Sequence, residues 1–94
     1  MKIGKLLKVL RINKGLTQTQ MAKAFNISQN YLSLIEQGKR IPSNEAVINF
    51  ARFLGISKEA LVILSSNVPE ELSKKNVRRF KRVQRNLFSS LLIE

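Results

Sequence analysis

The helix-start signals constrain this chain more than any other feature of it. Leu16-Thr17 with Met21, Ile27-Ser28 with Leu32 and Ile56-Ser57 with Leu61 each set a hydrophobe and a hydroxyl residue before a second hydrophobe. The hydroxyl caps an otherwise orphaned backbone N–H at a helix start, and the two hydrophobes clamp the entry angle. Gln20, three residues after Thr17, completes a capping box. A stop precedes each signal: Gly15, Asn26 and Gly55. Asparagine tolerates the left-handed conformation that such a tight connection demands. These signals describe short helices in close succession, and the expected class is all-α.

The apolar spacing fills in the helices. Ile3, Leu6, Leu7 and Leu10 fall at i, i+3, i+4 and i+7, one stripe of a first helix. The second is short and ends at Phe25-Asn26. The third runs over residues 29–37, turns Leu32 and Ile35 inward, and stops at Gly38. Ser43 caps a fourth with Val47, Phe50, Ala51 and Leu54 on one stripe, and a fifth reaches about residue 64. Ser65, Ser66, Asn67 and Pro69 mark a break. From Glu70 the chain reads as a sixth helix, with Val77, Phe80, Val83, Gln84, Leu87 and Leu91 roughly along one face. The expected organisation is a five-helix unit over residues 1–66 and a C-terminal helix over 69–94.

Composition narrows the chemistry. The 94 residues contain no cysteine and no histidine, so disulfides, thiolate metal sites and most acid-base catalysis lack their residues. Carboxylates are confined to Glu36, Glu45, Glu59, Glu70, Glu71 and Glu94. An enzyme is not expected, nor a metal or other cofactor. Seventeen Lys and Arg against six Glu leave a net charge of +11, which a polyanion would neutralise. Nucleic acid is the first candidate, an anionic membrane surface the second. No apolar run approaches the ~20 residues of a membrane span, and Lys2, Lys5 and Lys8 interrupt the apolar start that a signal peptide needs. The expected location is the cytoplasm.

Two short helices joined by a tight turn can lay the first across a DNA backbone and present the second to base edges. Residues 17–36 supply that device. On the third helix Gln29 neighbours Ser33 and Asn30 neighbours Leu34, while Leu32, Ile35 and Glu36 lie toward the protein. The outward face is polar and uncharged. Gln and Asn can pair bidentately with adenine, Ser contacts several edges, and Leu34 can pack on a thymine methyl. Tyr31 either hydrogen-bonds a phosphate or packs beside the core.

The segments Leu-Thr-Gln-Thr-Gln-Met-Ala-Lys-Ala-Phe and Ile-Ser-Gln-Asn-Tyr-Leu-Ser-Leu-Ile-Glu-Gln-Gly-Lys-Arg-Ile-Pro resemble the lambda-repressor/Cro-like, or XRE, family of helix-turn-helix regulators over residues 3–64. The resemblance implies a five-helix lambda-repressor-like DNA-binding domain, here with an additional C-terminal helix. It implies that Gln18 meets a phosphate and supports Gln29, and that Gln29 reads a base with Asn30, Ser33 and Leu34 beside it. Leu34 departs from the polar residues often found at its position. Thr17, Tyr31, Lys39, Arg40, Ser43 and Asn44 are expected around the DNA backbone. Arg11 and Glu36 match a structural ion pair of the family.

The expected function is therefore a sequence-specific regulator of transcription, a repressor acting as a homodimer on an inverted repeat in double-stranded DNA. Two other readings stand beside it: an antitoxin or similar protein-binding module that regulates its own DNA secondarily, and a nonspecific nucleic-acid binder. The sixth helix bears on all three, because Lys74, Lys75, Arg78, Arg79, Lys81, Arg82 and Arg85 place seven cations in twelve residues with no acid among them. Its apolar face could pack on the fifth helix, form a dimer or partner contact through Leu87, Phe88, Leu91 and Leu92, or lie on a membrane. Its arginines could also reach DNA phosphates.

Overall fold

The computed structural model describes residues 1–92 and contains six helices among them: α1 (Ile3–Asn13), α2 (Gln18–Phe25), α3 (Gln29–Glu36), α4 (Asn44–Leu54), α5 (Lys58–Ser65) and α6 (Lys74–Leu91). The last two residues of the expected 69–94 helix, Glu94 included, lie outside the described residues. Thr17, Ser28, Ser43, Ser57 and Ser73 each accept a hydrogen bond from the backbone N–H three residues on. Thr17 and Gln20 form the reciprocal capping box, at 3.1 Å and 2.9 Å.

Asn26 carries the α2–α3 turn. It sits at φ 57°, and its left-handed backbone brings its own N–H to Lys23 O and the N–H of Ile27 to Ala22 O. The two bonds satisfy carbonyls that the end of α2 would otherwise leave open. Ile27, swung inward by the same turn, then packs against the core and precedes the Ser28 cap. Stop and start are thus compressed into three residues, which fixes α3 relative to α2.

The core is assembled from all six helices. Leu6, Leu7 and Leu10 of α1, Met21, Ala22 and Phe25 of α2, and Leu32 and Ile35 of α3 meet Ala46, Phe50 and Ala51 of α4, Leu61 and Leu64 of α5, and Leu91 of α6. Phe25 links α2 to α4, tilted against Phe50 at 4.5 Å between centroids and edge-on to Phe53 at 4.9 Å, both within the range of favourable ring pairs. Gly4 brings α1 against α3: a Cβ built there would stand 1.9 Å from the carbonyl oxygen of Ile35. Only glycine permits that approach of α1 to α3.

The sixth helix differs from expectation at its start. Glu70 and Glu71 form a turn closed by the Leu72 N–H on Pro69 O, and the helix begins at Lys74 behind a Ser73 cap. Leu72, Ser73 and Val77 repeat the hydrophobe, cap and hydrophobe spacing of the earlier helix starts, a stronger signal than the acidic pair Glu70-Glu71. The inward residues also shift. Gln84 donates to Ile63 O and Ser66 O, both at 2.8 Å. Leu91 is buried, and Leu87, Phe88 and Leu92 pack against the core of the same chain, whereas Val83 stays exposed. The C-terminal part of the apolar stripe of α6 is occupied within the chain. No helix among the described residues is long and apolar enough to cross a membrane.

Candidate nucleic-acid interface

The polar face is organised from a buried charge outward. Glu36, at the end of α3, is 2% exposed in its side chain and takes a two-pronged contact from Arg11 of α1, Nε to Oε2 at 2.8 Å and Nη2 to Oε1 at 3.0 Å. The remaining Arg11 nitrogen donates to Leu16 O at 2.9 Å, so the guanidinium also holds the chain entering α2. A planar guanidinium matches a carboxylate in this way with little freedom left over. The Arg11 and Glu36 side chains therefore fix α3 to α1 and to the start of α2.

The same carboxylate orients two amides in turn. Gln18 Nε2 donates to Glu36 Oε1 at 3.1 Å, and Gln29 Nε2 donates to Gln18 Oε1 at 2.8 Å. An ionised carboxylate only accepts, so Gln18 must turn its NH2 toward Glu36 and its oxygen toward Gln29. Gln29 must then face Gln18 with its own NH2. Its oxygen and its second N–H are left for an outside partner, on an exposed side chain at the first turn of α3.

Asn30 is exposed beside Gln29, while Ser33 and Leu34 are half-buried further along α3. The Ser33 hydroxyl accepts from Gln37 Nε2 at 2.8 Å, which leaves its proton free to donate. The only signal in the sequence for this Gln37 contact is its spacing of four from Ser33.

The exit from α3 builds a second group. Gly38, at φ 74°, lets the N–H groups of Lys39 and Arg40 return to Leu34 O at 2.9 Å and 3.2 Å, folding both basic residues back beside the helix. The Arg40 guanidinium lies 4.9 Å from the ring centroid of Tyr31. The Tyr31 hydroxyl accepts from the backbone N–H of Ser43 at 3.1 Å, tying α3 to the cap of α4. Tyr31 packs against the core and keeps a hydroxyl proton for an acceptor outside. The Thr17 and Ser43 oxygens serve as helix caps. Asn44 Oδ1 accepts from Lys58 Nζ, which adds a cation from α5 to this edge. Lys58 was not legible in the sequence, because nothing local joins residues fourteen apart.

The helix-turn-helix family profile matches residues 7–61, more than half of the chain. The chain belongs to the XRE family of helix-turn-helix regulators. A 10 kDa protein of the ImmF control region of Bacillus phage phi105 is 39% identical over 70 residues, covering 74% of this chain and 78% of that protein. The immunity repressor protein of the same phage is 31% identical over 87 residues, 93% of this chain and 60% of the repressor. The HTH-type transcriptional regulator ImmR of Bacillus subtilis is 33% identical over 76 residues, 81% of this chain and 56% of that regulator. The XRE chain thus spans little more than half of the latter two relatives. No solved structure shows a significant match. The family is one of DNA-binding transcriptional regulators, and the all-helical fold with a C-terminal sixth helix fits it.

Proposed function

We propose that this XRE protein is a sequence-specific repressor of transcription that binds an inverted repeat in double-stranded DNA as a homodimer. The observation that carries the proposal is the orientation of Gln29. An amide that presents one oxygen and one N–H matches the major-groove edge of adenine, whose N6 donates and whose N7 accepts. Asn30 and Ser33 extend the reading to neighbouring pairs, and Leu34 offers an apolar contact to a thymine methyl. Lys39, Arg40, Tyr31, Asn44 and Gln18 supply backbone contacts that set the register.

Residues 1–66 form the recognition unit in this reading. One eight-residue reader helix covers only part of a helical turn of DNA, and two copies related by a two-fold axis would read half-sites about one helical turn apart. Leu87, Phe88, Leu91 and Leu92 are engaged within the chain. The two-fold contact is accordingly assigned to apolar side chains left outside, among them Val62 and Val83, exposed by 47% and 42%. The similarity to a phage immunity repressor supports the repressor assignment.

Selection from a pool of randomised duplexes tests the proposal. An enriched inverted repeat with an adenine at a fixed place in each half-site is the expected result. Recovery of all sequences alike would defeat it.

A further inference from the structure

We infer that the outward face of α6 is a second nucleic-acid-binding surface, one that takes the phosphodiester backbone of duplex DNA without regard to sequence. All seven cations between Lys74 and Arg85 are exposed, and among the described residues none of them is in an ion pair. Lys74 and Arg78, Lys75 and Arg79, Arg78 and Arg82, and Lys81 and Arg85 are like charges four apart, an arrangement that opposes helix formation. The first turn holds no acid and the last turn no base, so the charges also stand at the wrong end of the helix dipole. A bound polyanion reverses both effects.

The rest of α6 shows which polyanion. Gln84 and Leu91 fasten the helix to the body of the molecule, with Leu87 and Phe88 packed between them. A helix lying in a bilayer interface needs its whole apolar face for the lipid, and here the Leu87, Phe88 and Leu91 part of that face is taken up by the core. What remains is a fixed row of four arginines and three lysines about 16 Å long. A duplex carries roughly nine or ten phosphates over that length. Arginine forks and lysine ammonium groups are suited to phosphate oxygens. The reader helix of the same chain already addresses a duplex, so linkage favours duplex DNA over other polyanions.

This inference rests on the DNA-binding reading but not on its base specificity, and the experiment separates them. Full-length protein carrying Lys74→Gln, Lys75→Gln, Arg78→Gln and Arg82→Gln together is titrated with a duplex several turns longer than the selected site, over a range of salt. The slope of log K against log salt is expected to fall by about 2 to 4, and affinity at moderate salt by roughly 10- to 1,000-fold, with the order of base preference unchanged. Exchanging Arg78 and Arg82 for lysine should preserve the slope. Gln29→Ala should lose base preference yet keep the α6 contribution to the slope. The quadruple variant should melt no lower than the parent, since repulsion has been removed. An unchanged slope and affinity in the folded variant would overturn the inference. So would a lowered Tm, or tighter binding of the parent to single-stranded RNA or anionic lipid vesicles than to duplex DNA.

Discussion

Gln29 donates to Gln18 across 2.8 Å, and this bond decides which end of the Gln29 amide faces outward. The direction of the bond originates in Glu36, whose carboxylate can only accept from Gln18. A buried charge with a structural purpose thereby sets the donor and acceptor pattern of an exposed side chain.

Replacing Glu36 with glutamine should expose that dependence. An amide at this position can offer either end to Gln18, so the fixed polarity is lost and discrimination for adenine relaxes. Arg11 also loses its partner inside the protein, at a cost of about 3 kcal/mol by the usual penalty for an uncompensated buried charge. Urea unfolding and site selection on the same variant measure the two effects separately.

Gly4→Ala tests the seating of the reader helix. The added methyl would fall 1.9 Å from Ile35 O, so α1 and α3 must separate. A stability loss of roughly 1 to 3 kcal/mol is expected from overpacking, together with weaker operator binding although Gly4 lies in the core side of α1. Unfolding midpoints and duplex titrations report both.

Tyr31→Phe removes the acceptor for the Ser43 N–H while keeping the ring beneath Arg40. The expected stability change is about 0.5 to 1.5 kcal/mol. Affinity should fall for every duplex alike, because the contact concerns the loop proposed to meet the DNA backbone. A changed base preference would place Tyr31 among the base readers instead.

Asn26 is the one non-glycine residue with positive φ among the described residues. Asn26→Ala should cost roughly 1 to 2 kcal/mol, since a Cβ without a local polar partner is disfavoured there. Asn26→Gly should unfold within a few tenths of a kcal/mol of the parent, as easier access to the left-handed region offsets a freer unfolded chain. Denaturant melts of the two variants provide the comparison.

The connections of the fold were legible because each depends on neighbours in sequence. Leu16-Thr17, Ile27-Ser28 and Ile56-Ser57 announce helix starts by local hydrogen bonding and local packing, and Asn26 announces its turn by backbone preference. The helix-turn-helix and the Arg11–Glu36 pair were legible through family resemblance. Three features were not. The contact of Gly4 with Ile35, the bond from Ser43 to Tyr31 and the bond from Lys58 to Asn44 join separate helices, and no local pattern encodes them. The start of α6 had its signal in Leu72, Ser73 and Val77, but acidic Glu70-Glu71 after Pro69 is also a common helix opening, and the two compete.

A thermodynamic cycle measures whether Gln29 reads an adenine. Dissociation constants are measured for the parent and for Gln29→Ala, each on the selected duplex and on one in which the adenine assigned to Gln29 is replaced by guanine. The parent is expected to lose about 1 to 3 kcal/mol on the base change and the variant almost none, so that the two perturbations are strongly coupled. Equal losses in parent and variant would show that another group reads that base and that Gln29 does not.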